Sequence, residues 1–412
     1  MRTPKTISLY TGAGGLDYGF EAAGFETAVA IELDPTCVKT LMHNRSWPVI
    51  CAPIESVPTS AILEKANASA EMIDVLVGGP PCQPFSKSGF WASGETKRLD
   101  DPRASTLESF LRVLEETRPR AFLMENVEGL GFAGKDDGLR YIEQRLQQIN
   151  VRQETNYRLR TAVLNAADYG VPQIRRRFFL IAARDGTPFG FPARTHHPPQ
   201  RGTCDARAPY RTAWDALYNV SVSPSDGDLR VRGKWAELLP TIPEGQNYLW
   251  HTPRGGGEPL FGWRRRYWSF LLKLAKDLPS WTIQAQPGPA TGPFHWSNRR
   301  LSAREMARLQ TFPADVEIVG GYGDVQRQLG NAVPSLVAEV LAREISGQLL
   351  ARPVNGPLRL AIDAAPLPPP KPEMPKPVPQ RYLSLRGSHE AHPGTGKGFR
   401  AISRSTLLDS VP

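Results

Sequence analysis

The stretch TISLYTGAGG, residues 6–15, is the strongest indication of the fold in this sequence. It begins as a short β-branched and apolar run and ends in a glycine-rich loop, directly before a segment of helical period at 16–23. Glycine lets the backbone approach a ligand closely and turn from a strand into a helix. Strand, glycine loop and helix in this order are typical of a nucleotide-type site, although a tight structural turn is the alternative. The spacing is GxGG and not GxGxxG, so a dinucleotide is not implied.

The same alternation of short strands and helices continues to about residue 183. We predict strands at 7–10, 27–33, 49–51, 73–77, 121–125, 160–164 and 177–182. Helices are predicted near 16–23, 35–44, 60–66, 106–116 and 138–149. This order predicts a doubly wound α/β domain, in which ligands bind outside the C-terminal ends of the strands.

Length and composition bound the class of protein. The chain has 412 residues, enough for two or three domains, with 40% hydrophobic and 22% charged residues, as in ordinary globular proteins. No apolar run is as long as a membrane span, and residues 1–5 are not followed by an apolar signal region, so a cytoplasmic location is expected. The four cysteines form no CxxC pair and have no zinc spacing, which argues against a disulfide framework and a structural metal.

Positive charge and aromatic residues are concentrated in the middle of the chain. Of the net charge of +9, residues 186–297 contribute +5, from thirteen basic and eight acidic residues, and they hold seven of the nine tryptophans. This composition suits a surface that reads nucleic acid, since phosphates attract Lys and Arg and bases stack on aromatic rings. An irregular insertion with its own small aromatic core is the alternative.

Regular structure returns after this segment. Ser302 and Glu305 can form a capping box that opens a helix, and a last helix is expected at about 334–350. Residues 353–379 contain ten prolines, which predicts a polyproline-like or disordered stretch. We therefore predict four segments: a first α/β part (1–185), an inserted irregular domain (186–297), helices that return to the first part (298–352) and a disordered tail whose deletion leaves activity largely intact (353–412).

A cysteine and two carboxylates come at predicted strand ends. Cys82 follows the fourth strand within GGPPCQPFS, residues 78–86, where prolines hold its thiol on a stiff loop, and a thiolate is a nucleophile. The next strand ends at Glu125, whose carboxyl would lie at the same sheet edge, so nucleophile and acid form a catalytic pair in outline. Glu32 ends the second strand, where an acidic side chain can accept both hydroxyls of a ribose.

An arginine run, QIRRR at residues 173–177, opens the seventh strand. Because side chains alternate along a strand, Arg175 and Arg177 share one face and Arg176 points to the other. Two arginines on one face can hold a phosphate and a base edge or carboxylate, although a solvated edge strand is the alternative.

In this order, the motifs resemble those of the DNA (cytosine-5) methyltransferases, including the bacterial restriction–modification type. They are TGAGG (11–15), the strand end at Glu32, PPCQPFS (80–86), ENV (125–127), QIRRR (173–177), RRLSAREMARLQTFP (299–313) and QLGNAVP (328–334). The resemblance covers about residues 5–350. It implies an S-adenosylmethionine-dependent, Rossmann-like catalytic domain with a mostly parallel sheet and a small, irregular target-recognition domain inserted before the RRLSARE helix.

The resemblance also implies catalytic roles. Cys82 resembles the nucleophile that adds to cytosine C6, and Glu125 the group that contacts N3 and the exocyclic amine. Arg177 is similar to the family arginine near the base O2 and Glu125, while Arg175 is expected at a backbone phosphate and the Pro80 carbonyl at the cytosine amine. The expected contacts of S-adenosylmethionine, the one cofactor implied, are Tyr10, Gly12, Gly14, Gly15, Glu32 and Asn331.

The implied substrate is double-stranded DNA, with the target cytosine flipped out of the helix. Thr282 with Ile283 resembles the Thr-Leu/Val/Ile signature of the recognition domain, whose threonine lies near the DNA backbone, and the loop 88–101 is expected to close over DNA. The chemistry of arginine alone suggests guanine or phosphate contacts for Arg264 to Arg266. The predicted DNA-contact residues are Gln83, Ser86, Ser88, Arg264, Arg265, Arg266 and Thr282. A monomer and a cognate restriction endonuclease acting on the same site are expected as well.

One position departs from the family pattern, and other functions stay open. After the third strand the family usually has an acidic residue for the adenine amine, but this chain has Pro53, and Asp74 comes too late to replace it with confidence. A transfer-RNA cytosine-5 methyltransferase would keep the same motifs. A catalytically silent DNA-binding regulator would need only the recognition domain, and a thiol hydrolase would need a histidine near Cys82, where the sequence has none.

Overall fold

The fold is known from a computed structural model that describes residues 2–81, 104–131, 137–199, 206–262 and 267–387. Seven predicted site residues lie outside these ranges: Cys82, Gln83, Ser86, Ser88, Arg264, Arg265 and Arg266. The loop 88–101 lies outside them too.

A seven-stranded sheet forms the centre of the molecule, with strand order β3-β2-β1-β4-β5-β7-β6. Its strands are β1 (Lys5–Leu9), β2 (Glu26–Glu32), β3 (Val49–Cys51), β4 (Ile73–Gly78), β5 (Ala121–Val127), β6 (Arg160–Asn165) and β7 (Arg176–Ala183). The pairs from β3 through β5 are parallel, and β7 runs antiparallel to both of its neighbours. The predicted α/β fold with a mostly parallel sheet is confirmed, and the reversed β7 brings its N-terminal end to the edge where β5 ends.

Helices cover both faces of this sheet. They are α1 (Gly15–Ala22), α2 (Pro35–Asn44), α3 (Thr59–Lys65), α4 (Ala104–Thr117), α5 (Asp137–Gln153), α6 (Ala213–Leu217), α7 (Ala303–Leu309), α8 (Tyr322–Asn331), α9 (Ser335–Gln348) and α10 (Gln380–Leu383). The capping box predicted at α7 is present, because the Ser302 hydroxyl accepts the Glu305 amide and the Glu305 carboxylate accepts the Ser302 amide. The sequence pattern did not reveal α8.

Helix α9 returns to the first part of the chain by packing tightly against α1. A Cβ on Gly15 would lie 2.3 Å from the Val333 carbonyl oxygen, and one on Gly19 would lie 2.3 Å from the Ala338 Cβ. Real Cβ atoms do not approach that closely, so only glycine permits this contact. The packing places the segment before α9 directly beside the glycine loop.

The middle of the chain has little regular structure and is held by its own apolar cluster. Its regular pieces are short, including the two-residue strands β8 (His196–His197) and β9 (Ala208–Pro209), a pair separate from the main sheet. Trp235 packs edge-on against Phe261 and Phe270, and Tyr248 against the same two rings. Aromatic packing of this kind, and not hydrogen-bonded ladders, fixes the irregular backbone.

The prediction of a disordered tail is wrong for residues 353–387. These residues pack on helix α9, where the Arg359 amide donates to the Glu339 carboxylate, and on the irregular middle segment. The Ala365 amide donates to the Asp215 carboxylate, and the Leu367 carbonyl accepts from the Trp214 indole. Farther on, Tyr382 is 3% exposed and stacks on Trp235 at 5.9 Å between ring centroids. Proline content predicted the absence of regular structure, but an extended chain can still bury anchors and donate its free amides.

Among the described residues, no helix has the length and apolar character needed to cross a membrane.

Candidate active site

The described candidate residues gather at one edge of the sheet. In the parallel strands β1, β2, β4 and β5 this is the C-terminal edge, where Tyr10, Glu32, Gly79 and Glu125 stand at or just past the strand ends. The antiparallel strand β7 adds Arg177 opposite Val127. This placement follows from the parallel order, which brings consecutive strand ends together.

Glu125 and Arg177 form a partly buried ion pair. The Arg177 Nε lies 2.9 Å from a Glu125 carboxylate oxygen, and the two side chains are 12% and 18% exposed, with Glu125 the more buried. Burial raises the pKa of Glu125, and the neighbouring guanidinium groups of Arg177 and then Arg175 oppose that rise. The carboxyl group is therefore fixed in position and drawn toward its protonated form, as a proton donor requires.

The segment that leads into Cys82 is tied to the Glu125 strand. The Asn126 side-chain amide donates to the Pro80 carbonyl at 3.0 Å, and the Thr106 hydroxyl donates to the Pro81 carbonyl at 3.3 Å. A Cβ on Gly79 would lie 3.0 Å from a Glu125 carboxylate oxygen. Backbone therefore runs close to Glu125 up to the residue before Cys82.

The glycine loop and Glu32 form a cradle at the other half of the edge. Tyr10 and Gly12 both have a φ of 56°, and no atom lies within 4 Å of the position that a Gly12 Cβ would take. The Glu32 carboxylate accepts the Gly12 and Asp34 amides at 2.7 and 2.8 Å. Open space above a loop that already turns with positive φ fits a ligand such as the predicted cofactor.

Asn331, the last residue predicted to contact the cofactor, ends helix α8. Asn331 is exposed at the end of α8, two residues before Val333, whose carbonyl touches Gly15. On the same helix Arg327 pairs with Asp34, the residue that caps α2 just after Glu32. The structure therefore brings Asn331 to the glycine loop, although more than 300 residues separate them in sequence.

Arg175 does not have the place that we predicted. Its side chain is 1% exposed and donates to the Ile283 carbonyl at 3.2 Å and to the Gly330 carbonyl at 2.7 Å. A guanidinium enclosed in this way is not available to a DNA phosphate. The strand alternation correctly separates it from Arg176, which is exposed and pairs with Glu128, but the face of Arg175 is covered by two distant segments.

The segment that contains Thr282 lies along the arginine run. The Ser280 carbonyl accepts the Ile174 amide at 2.7 Å, and the Thr282 hydroxyl donates to the Ile174 carbonyl at 2.7 Å. Residues 280–283 are thus fixed beside the stretch that carries Arg177. Thr282 is partly exposed, and its expected place near a DNA backbone stays a prediction.

Asp74 is not a substitute for the missing acidic residue at Pro53. It is 2% exposed, and its carboxylate accepts from the Arg2 guanidinium and the Lys5 amide, at the N-terminal ends of β1 and β4. The candidate site lies at the opposite ends of these strands.

Sequence reasoning missed three residues that shape the site. Asn126 holds the Pro80 carbonyl, Gly79 gives Glu125 its space, and Asp34 links the loop after Glu32 to α8. Two of them lie inside the GGPPC and ENV motifs, so their proximity to Cys82 and Glu125 in sequence was an available signal. For Asp34 no local signal existed, because its partner Arg327 is 293 residues away.

The chain is similar to known proteins over most of its length. The family model described as C-5 cytosine-specific DNA methylase matches residues 4–347. The Type II methyltransferase M.SacI of Streptomyces achromogenes is 40% identical over 369 residues, covering 83% of this chain and 93% of that protein. The Type II methyltransferase M.NgoFVII of Neisseria gonorrhoeae is 33% identical over 346 residues, covering 83% and 86%.

A solved structure supports the fold alone. The Entamoeba histolytica methyltransferase EhMeth superposes with a TM-score of 0.56 at 17% identity, covering 85% of this chain and 99% of that one. The fold described above is therefore shared with that protein. The family match spans the glycine loop, the Glu125 strand and the segment that packs on Arg175, and the chain accordingly belongs to the C-5 cytosine-specific DNA methylases and is a DNA cytosine methyltransferase.

Proposed function

We propose that this enzyme methylates C5 of one cytosine within a specific short sequence of double-stranded DNA, with Cys82 as its nucleophile. The observation that carries the proposal is the partly buried Glu125–Arg177 pair at 2.9 Å, beside the backbone that leads into Cys82. Addition of a thiol to a pyrimidine ring requires an acid that is held beside the nucleophile. The thiol itself lies outside the described residues.

Glu125 acts as the proton donor. As the Cys82 sulfur bonds to C6, the C5–C6 π electrons shift through C4 and N3 takes a proton from Glu125, which leaves C5 as an enamine-like carbon. The raised pKa of Glu125 makes its protonated form easier to populate. Once C5 carries the methyl group, N3 returns its proton to Glu125, the C5 proton is lost to a base, and departure of the Cys82 thiolate restores the C5–C6 double bond.

Arg177 positions both partners of this step. Its Nε is bonded to Glu125, and its guanidinium has further donors that can reach the base O2. The Pro80 carbonyl, which already accepts from Asn126, has a second lone pair for the cytosine amine. These contacts recognise the edge of a cytosine and explain why the base must leave the helix, at a cost of a few kcal/mol.

The cofactor is held by the glycine loop and its neighbours. Tyr10, Gly12, Gly14 and Gly15 form the loop, Glu32 is available to ribose hydroxyls, and Asn331 faces the loop from α8. When bound, S-adenosylmethionine supplies the electrophilic methyl group that the activated C5 accepts. To bind a ribose, Glu32 would share its carboxylate oxygens between the ligand and the Gly12 and Asp34 amides.

The biological setting is proposed from the relatives. The similar proteins named above are Type II methyltransferases, so we propose a cognate restriction endonuclease that acts on the same sequence. The monomeric state and the cytoplasmic location stay predictions. Nothing in the described residues favours transfer RNA as substrate or a silent regulator.

The test is expression in a host that lacks cytosine methylation, followed by genome-wide mapping of 5-methylcytosine. We expect methylation at one short recurrent sequence, its loss in Cys82→Ser, and its retention in the control Cys51→Ser, which changes an exposed cysteine at the end of β3. An unmethylated genome despite folded protein that binds S-adenosylmethionine would contradict the proposal. Turnover by Cys82→Ser would remove Cys82 from the mechanism.

A further inference from the structure

Two tryptophans of the middle segment differ from the other described ones. Trp268 and Trp281 are 39% and 37% exposed, and their rings meet edge to face at 5.4 Å between centroids. Trp235 packs in the aromatic cluster, and Trp214 packs against Trp296. Among the described tryptophans, only the members of this pair are exposed, and the others are partly buried.

The pair is held in place. The Trp268 carbonyl accepts the Asn247 side-chain amide at 2.7 Å, and the next residue, Ser269, accepts from the Gln284 side chain at 2.8 Å. Gln284 follows Trp281 by three residues, so this bond joins the two segments that carry the rings. The aromatic surface is therefore preorganised, which lowers the entropy cost of using it for binding.

The pair also lies close to the catalytic edge. Trp281 stands between Ser280 and Thr282, both bonded to the backbone of Ile174. Ile174 precedes Arg177 by three residues, which in an extended chain is about 10 Å. Arg177 holds Glu125, so a base in the active site and its neighbours in the same duplex would lie near the exposed rings.

We propose that Trp268 and Trp281 form a contact surface for the DNA duplex beside the target cytosine. The proposal rests on the proposed function, since it names a further part of the same DNA site. Apolar side chains contact thymine methyl groups at the edges of the bases in the major groove, and basic residues nearby neutralise phosphates. The middle segment, residues 186–297, has the positive charge that this requires, with a net charge of +5.

The first test compares variants on the duplex that the wild-type enzyme methylates. Trp281→Ala should weaken DNA binding by about fivefold or more and raise KM for DNA, because aromatic contacts to bases usually contribute at least that much. Trp281→Phe should keep most of the affinity. Affinity for S-adenosylmethionine and the melting temperature should not change. The control Tyr218→Ala removes a ring of the same segment that is 40% exposed and packs beside Trp214, and it should leave DNA affinity unchanged.

The second test uses the intact protein and does not depend on a variant that folds. N-bromosuccinimide should oxidise Trp268 and Trp281 ahead of the packed tryptophans, and sheared genomic DNA at low salt should protect both, as read by peptide mass spectrometry. Equal oxidation with and without DNA would overturn the proposal, as would unchanged DNA affinity in a folded Trp281→Ala. Failure of the proposed function is distinguishable, because it would appear as an unmethylated genome whether or not DNA protects the pair.

Discussion

Removal of the proline-rich tail is expected to destabilise the enzyme, and Tyr382 is the residue that should show it most clearly. This side chain is 3% exposed, stacks on Trp235 and donates its hydroxyl to the Lys234 carbonyl at 2.7 Å. Truncation of a buried aromatic side chain to alanine usually costs about 3–5 kcal/mol. Because this ring lies near the surface of the domain, where neighbours can partly collapse, we expect Tyr382→Ala to cost about 3 kcal/mol.

Tyr382→Phe is the matched variant. It keeps the stack on Trp235 but loses the hydrogen bond to the Lys234 carbonyl and the one that its hydroxyl accepts from the Arg381 side chain. It should therefore lower the free energy of unfolding by about 1–2 kcal/mol. Urea unfolding followed by tryptophan fluorescence measures both, since Trp235 lies under the ring. A chain ending at residue 387 keeps every tail contact described here and should match the full-length protein, whereas one ending at residue 352 should lose stability and DNA methylation together.

Two results would refute this reasoning. If the chain ending at residue 352 unfolds at the same urea concentration as the full-length protein and methylates DNA at the same rate, the tail contributes nothing to the recognition domain. If Tyr382→Ala and Tyr382→Phe lose equal stability, the stack on Trp235 is not what holds the tail.

Two further changes test the first part of the chain. Asp17 is fully buried in α1, and burial raises its pKa from 3.8 to about 7, with the Ser8 hydroxyl opposing part of the rise. Because the folded state favours the protonated carboxyl, the contribution of Asp17 to the free energy of unfolding should be greatest below about pH 4 and should be lost as the pH rises through about 7, by up to about 4 kcal/mol. Asp17→Asn should remove this dependence of the unfolding free energy on pH, as measured by urea unfolding at several pH values. An unchanged pH dependence in the variant would contradict the assignment. Gly15→Ala would place a Cβ 2.3 Å from the Val333 carbonyl oxygen, so it should cost about 1–3 kcal/mol and weaken S-adenosylmethionine binding in calorimetry, while the control Gly323→Ala, with no atom within 4 Å, should do neither.

The sheet and its functional edge could be predicted from local sequence. Each strand is a short apolar run with a turn signal after it, and parallel strands end on the same side. This rule alone was enough to bring Glu32 and Glu125 to one edge. The reversal of β7 has no local signal, because a buried run such as FFLIAA, residues 178–183, reads the same in either direction.

The environment of Arg175 could not be predicted in the same way. Alternation fixes which face of the chain a side chain takes, but not what covers that face. Here the cover comes from Ile283 and Gly330, which are 108 and 155 residues away in sequence. An arginine at the start of a strand beside a nucleic-acid site suggests a contact with a phosphate. Only the tertiary structure shows that the guanidinium of Arg175 instead donates to two carbonyl oxygens.

The tail shows a second limit of composition. Ten prolines in 27 residues exclude helices and ladders, and the structure has neither between residues 353 and 379. Proline also restricts the unfolded chain, so an extended proline-rich segment loses less entropy when it docks. A few anchors such as Ile362 and Tyr382 can then hold it, and such isolated apolar residues in a polar sequence look like those of a disordered linker.

Arg175 makes the parts of this enzyme depend on one another. A guanidinium that is 1% exposed has lost its water, and burial drives its pKa well below the ordinary value, so it is stable only while its carbonyl partners are in place. One partner belongs to the recognition segment, the other to the end of α8 beside Asn331, and the next arginine on the same face holds Glu125. Displacement of either segment would leave a buried charge short of a hydrogen bond, at a cost of several kcal/mol. We therefore expect the segment that carries Arg177 to be fully ordered only when residues 280–283 and the end of α8 are both in place. For this reason the middle segment and the helices after it cannot be treated as separate additions to a finished α/β domain.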